Sequence, residues 1–111
     1  MTALTLVGLK TCDTCRKARK ALTEAGHDVT FQDVRETPPT VDDLAGWLEA
    51  FGSDLVNRKS TTWRGLSEAE RACPPLAQLQ AHPALMKRPV LAADGALYLG
   101  WGPETQAALL G

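Results

Sequence analysis

Nowhere in these 111 residues does an apolar run approach the length of about 18 that a bilayer-spanning helix requires. An excess of either charge is missing too. Twelve Lys+Arg stand against 13 Asp+Glu for a net charge of −1, so no global field draws in nucleic acid or an anionic membrane, and any anion site has to be local. Cysteine is scarce and odd in number: three residues cannot staple a fold, and in a reducing compartment they are not expected to form structural bridges. Met1-Thr2-Ala3-Leu4 leads toward a strand with no charged n-region or cleavage site, and the expected setting is cytoplasmic. Repeats and low-complexity tracts are absent, and paired prolines occur only at Pro38-Pro39 and Pro74-Pro75, which argues against a disordered or fibrous chain. What is there is 44% hydrophobic and 23% charged, an ordinary globular composition at the length of one domain, expected to span residues 1–111.

Leu4, Leu6 and Gly8 alternate with Thr5 and Val7, so residues 3–8 read as a buried strand. From Cys12 onward, Cys15, Ala18, Leu22 and Ala25 recur at spacings of three and four, one face of a helix over about 13–25 with Gly26 as its C-cap. Residues 27–34 place Val29, Phe31 and Asp33 against Thr30, Gln32 and Val34, a second strand, parallel to the first through a βαβ crossover. Thr40 followed by Asp43 resembles a capping box, and Leu44, Trp47, Leu48 and Phe51 form the apolar stripe of a helix ending at Gly52. Between Ser53 and Pro83 the pattern is helical but interrupted at Gly65 and Pro74-Pro75, which predicts two or three short helices and no strand. Val90–Ala92 and Ala96–Leu99 flank Asp94-Gly95, a strong hairpin signal. A last helix starts at Pro103 and runs over 103–110, with Glu104 suited to its N-terminal dipole.

The order is βαβ, a helical insert at about 40–83, a ββ hairpin and a helix. Apart from the insert this is the α/β arrangement of the thioredoxin-like fold, in which a CxxC beside a βαβ unit is the redox signature. Cys12-Asp13-Thr14-Cys15 stands at that strand-to-helix junction. A thiol attacks only as the thiolate, and a helix's first turn favours negative charge; Lys10 and Arg16 can add positive potential, partly offset by Asp13. Cys12 is thus the candidate nucleophile. Cys15, one turn on and on the same face, is placed to resolve a mixed disulfide. The bland alternative is two small buried hydrophobes.

A metal site is not expected: only Cys73, His27 and His82 are left to complete four ligands, without a second CxxC or paired-histidine spacing. A phosphatase-like Cys-x5-Arg cradle is excluded because Ala18 and Ala21 stand six residues after the two cysteines. Cys73 reads as structural, and His27 and His82 as surface or capping residues. The cationic run Arg16-Lys17-Ala18-Arg19-Lys20 is either a solvated face or an attraction for an anionic thiol such as glutathione. Arg88-Pro89 stands where the third strand begins; a cis proline there would let the adjoining backbone pair with an extended thiol substrate, with Arg88 directed at its sulfur or carboxylate. The alternative is a trans proline that merely starts a strand. Arg58, Lys59 and Arg64 surround Trp63 in a pattern that suits cation–π packing.

With those residues laid out, the chain resembles the ArsC family over essentially its whole length, through "GLKTCDTCRKA", "STTWRGLSE" and "LMKRPVLAADGALYLGW". The family includes glutaredoxin-linked arsenate reductases, Spx regulators and YffB-like proteins, and the TTWR stretch with KRP looks most like the YffB-like branch, for which a glutathione-dependent thiol reductase role is proposed. The resemblance implies a nucleophile at Cys12, an arginine before the proline at Arg88, and an oxyanion-binding arginine near Asn57-Arg58-Lys59. The third arginine of the arsenate reductases would fall at Gly100-Trp101, where this chain has none, so the implied partner shifts from an oxyanion toward a thiol. Catalysis is expected at Cys12 and Cys15. Glutathione or substrate contacts are expected at Lys10, Thr11 and Arg16, at Arg58 and Lys59, and at Arg88 and Pro89. No bound cofactor is expected, glutathione acting as co-substrate and glutaredoxin as a candidate partner of a monomer. Arsenate reduction, or Spx-like redox control through RNA polymerase, are the alternatives.

Overall fold

The computed structural model describes residues 3–93 and 95–110. The chain forms two compact units: one runs to Thr37 and resumes at Arg88, and the other is Pro38–Lys87, within which the expected insert lies. The first unit carries a four-stranded mixed sheet in the order β2-β1-β3-β4. Strand β1 (Ala3–Gly8) pairs in parallel with β2 (Asp28–Asp33) through helix α1 (Asp13–Glu24), as a βαβ unit requires. Strand β3 (Val90–Ala93) runs antiparallel to β1, and β4 (Ala96–Leu99) returns antiparallel to β3. This is the α/β, thioredoxin-like arrangement. The hairpin turn includes Gly95 at φ 79°, in the left-handed region that turns assign to glycine; Asp94 lies outside the described residues.

The helix-period stripe of α1 does what its spacing predicts. Cys15, Ala18 and Leu22 are fully buried against Leu4 and Leu6 of β1 and Leu91 and Ala93 of β3, with Phe31, Tyr98, Trp101 and Leu109 packed around them. Burying a side chain such as Leu22 contributes about 1.5–3 kcal/mol. The helix stops because Gly26 turns the backbone to φ 95°. His27, expected as a surface or capping residue, is half-buried, and its Nε2 donates to the Leu109 carbonyl at 2.8 Å. That bond fastens helix α6 (Pro103–Leu110) beside the end of α1.

In the second unit, helix α2 (Val41–Phe51) begins on a full capping box between Thr40 and Asp43 and buries Leu44 and Trp47. A 3-10 turn at Gly52–Leu55 follows. Helices α3 (Thr61–Arg64), α4 (Glu68–Arg71) and α5 (Pro75–Ala81) are the three short helices that Gly65 and the proline pair divide, and a second 3-10 turn covers Pro83–Leu85. A single β-bridge joins Val56 to Met86. Four-residue helices cannot sustain themselves, because nucleation costs more than one turn returns. Ser60 and Ser67 therefore accept the Trp63 and Glu70 N–H groups, and Gln78 Nε2 donates to the Glu70 and Arg71 carbonyls.

Candidate active site

Cys12 is the N-cap residue of α1, at φ −84° and ψ 118°. Its own N–H closes a turn on the Leu9 carbonyl at 3.1 Å, and its carbonyl accepts the first helical bond, from Arg16 N–H, at 3.0 Å. The thiol is therefore half-buried at the mouth of the helix, where unpaired N–H groups favour an anion by roughly 0.3–1 kcal/mol. Partial burial pushes this thiol up, but the Cys15 N–H, the Cys15 thiol and the Arg88 guanidinium together pull it below its ordinary value. Cys15 shows the opposite balance. It is fully buried, and burial pushes its thiol up to about 12, against some help from the Leu9 N–H. One member of the pair is thus held as an acidic thiol and the other as a protonated donor.

The depth of Cys15 depends on Gly8. A methyl group on Gly8 would run into the Cys15 sulfur, so only glycine lets the helix start settle this far onto β1. Arg88 is half-buried and reaches the site from the start of β3. The Arg88–Pro89 peptide is cis, the isomer on which the substrate-pairing reading was conditioned. Pro89 is buried and its carbonyl accepts the Gly100 N–H at 2.8 Å.

The remaining candidates divide. Arg16 is engaged with Asp13 next to it on the exposed helix start, and Lys10 Nζ lies 2.8 Å from Glu36. The expectation that these two cations would lower the Cys12 thiol is corrected: the groups that lower it are the Cys15 N–H and thiol and Arg88. Thr11 is exposed. Arg58 and Lys59 belong to the second unit, where with Ser53, Asp54, Asn57 and Lys87 they line an open cleft of about 280 Å³. The Arg58 guanidinium also lies 5.6 Å from the Trp63 ring centroid. Cys73, expected as a structural residue, is exposed just past α4, with its thiol donating to the Ala69 carbonyl at 3.3 Å.

Two contributors went unread in the sequence. By alternation alone Gly8 is only a strand residue, although a glycine inside a strand marks close approach of another group. Alternation puts Asp33 with Val29 and Phe31 on one face of β2, with no role evident from spacing. In the structure it is buried and accepts the Lys10 N–H at 2.9 Å. A carboxylate at an inward-facing strand position was the available signal, since such a group has to be matched by donors.

The ArsC family model matches residues 7–109. The chain belongs to the ArsC family. An uncharacterized protein of Haemophilus influenzae is 36% identical over 95% of this chain and 97% of its own length. Among solved structures, the YffB protein is 34% identical at a TM-score of 0.87, covering 97% of this chain and 99% of that one. An arsenate reductase related protein of Brucella melitensis is 35% identical at a TM-score of 0.73, covering 96% and 92%. The likeness to YffB accords with the YffB-like branch of the ArsC family. Family membership, together with the acidic Cys12 thiol and its buried partner, makes this chain an ArsC-family oxidoreductase of thiol-based chemistry. Among the described residues no helix is long and apolar enough to cross a membrane.

Proposed function

We propose that the protein is a glutathione-dependent thiol–disulfide oxidoreductase of the cytoplasm, acting as a monomer on small disulfides, with glutaredoxin as an alternative electron donor. The observation that carries this reading is the division of labour within the CxxC pair, with Cys12 acidic beside Arg88 and Cys15 buried and protonated. The Cys12 thiolate attacks one sulfur of the substrate disulfide, forming a Cys12 mixed disulfide and releasing the other sulfur as a thiol. Cys15 then loses its proton and attacks Cys12 Sγ, expelling the second thiol and leaving a Cys12–Cys15 disulfide. Two glutathione molecules return the pair to the dithiol and leave as oxidised glutathione. Arg88 steadies the thiolate before attack, as a cation beside a low-pKa cysteine does.

Turnover of a glutathione mixed disulfide, coupled to regeneration of glutathione, tests this. The wild type should turn over, Cys12→Ser should fall to background, and Cys15→Ser should accumulate a mixed disulfide at Cys12 visible by mass spectrometry. Full activity in Cys12→Ser would sink the mechanism. Reduction of arsenate but not of the disulfide would transfer the reading to an oxyanion. Inactivity toward both, with capture of RNA polymerase subunits, would favour a redox regulator.

A further inference from the structure

We propose that Asp33 is a positioning residue for the chemistry of Cys12, acting through the Leu9–Cys12 turn that it clamps to the end of β2. The inference rests on Cys12 being the reactive thiol. Asp33 is the last residue of β2 and only 9% exposed. A carboxylate so withdrawn from water has to be matched by donors, and three backbone N–H groups do so. Arg35 and Glu36 donate to Oδ1 at 2.8 and 3.3 Å, and Lys10 donates to Oδ2 at 2.9 Å. The first two belong to the turn that follows β2, and would hold that turn in any protein. The third comes from 23 residues earlier, from the segment that carries Cys12.

Two neighbouring bonds make the clamp tight. Gly8 C=O accepts the Val34 N–H at 2.9 Å, and Cys12 N–H donates to the Leu9 carbonyl at 3.1 Å, so the segment is tied on both sides of Lys10. Leu9 is buried, which removes the remaining freedom to swing. Where this turn sits decides where the Cys12 sulfur sits relative to the Cys15 N–H and Arg88. The Lys10 N–H is also the largest influence holding the Asp33 carboxyl below the usual carboxylate range, so the bond acts on both of its ends.

A carboxylate acts on a nearby thiol in a second way, through space, and there the sign is opposite. Removing a negative charge would by itself make Cys12 more acidic, whereas loosening the turn would make it less acidic. A purely structural Asp33 would change neither.

Asp33→Asn in the full chain separates these cases, because the amide keeps the shape but presents a donor or a weaker acceptor to Lys10. Iodoacetamide labelling of Cys12, followed by peptide mass spectrometry across pH, gives the thiol's midpoint and its rate. Exposed Cys73 serves as the internal reference thiol. The variant should react at Cys12 roughly three- to tenfold more slowly at neutral pH, with the midpoint moved upward and Cys73 unchanged; Asp33→Glu should recover part of the loss. An unchanged Cys12 rate in a merely less stable Asp33→Asn protein, or a downward midpoint, would overturn the clamp. Wild-type Cys12 labelling no faster than Cys73 would instead overturn the reading on which the clamp rests. If Asp33→Asn does not fold, the wild type answers by NMR. The Lys10 amide signal should follow the Asp33 carboxyl titration at acid pH, and an indifferent Lys10 amide would overturn the proposal.

Discussion

The sheet unit and the helical unit hold their shapes by different balances of distant and local bonds. In the sheet unit the decisive bonds join residues distant in sequence, such as Lys10 with Asp33 and β1 with β3. In the helical unit a distant pairing is present at the Val56–Met86 bridge, but the short helices are held by local bonds: Thr40 with Asp43, Ser60 with Trp63, Ser67 with Glu70. The same cation serves each unit differently. Arg58 and Arg71 lie 5.6 and 5.7 Å from the Trp63 centroid, and Arg71 also donates to the Trp63 and Arg64 carbonyls; an aromatic face or a carbonyl is held by a guanidinium but not chemically altered by it. Arg88 meets a thiol, whose protonation it changes. Local order stabilises the short helices, whereas at Cys12 a local donor, the Cys15 N–H, is joined by a side chain from a distant segment, Arg88.

The largest effect that would break or sharpen this contrast is on rate. Arg88→Ala should raise the Cys12 thiol toward its ordinary value and slow Cys12 labelling at neutral pH by about tenfold, while Arg71→Ala should alter only the unfolding midpoint. Equal labelling rates in the two variants would remove the distinction between the arginines.

Glycine offers the next comparison. Gly8→Ala drives a methyl into the Cys15 sulfur and should cost about 1–3 kcal/mol, the range for overpacking a core. Gly46 lies in the interior of α2 with open space around its Cβ position, so Gly46→Ala should stabilise by roughly 0.5–1 kcal/mol. Urea unfolding reads both, and a shared sign would refute the contrast.

The smallest difference concerns acid. Asp33 and Glu70 are both held below the ordinary carboxylate range, Asp33 chiefly by the Lys10 N–H and Glu70 chiefly by the His82 ring. A depressed carboxyl contributes stability above its unfolded value, about 3.9 for Asp and 4.3 for Glu, and that contribution is lost as pH falls through the folded value. Both acid limbs therefore slope downward below about pH 4. Asp33→Asn should flatten its limb visibly, and Glu70→Gln, at a solvated position, barely.

Much of this was legible in the sequence because periodicity is a local property. The α1 stripe, the Gly26 stop, the Thr40–Asp43 box and the hairpin follow from spacings of two, three and four. The cysteine pair was legible for the same reason, as was the arginine before Pro89. What the spacing could not carry was partnership across the chain. Lys10 and Arg16 looked like the cations of the site, yet each is taken by a nearby carboxylate, Glu36 and Asp13. Asp33 looked like an inward polar residue without a purpose, because its donor lies 23 residues away.

The reach from Cys12 to Arg88 carries a temporal consequence. Bringing together groups separated by 76 residues in sequence is slow compared with forming α1, because the loop must close before its contacts repay the lost chain entropy. A partly folded chain in which only α1 has formed therefore carries Cys12 beside the Cys15 N–H but without the arginine that adds to its acidity. When β3 settles beside β1, the guanidinium joins the Cys15 N–H and thiol in favouring the thiolate, so the finished sheet completes an acidity that α1 alone begins.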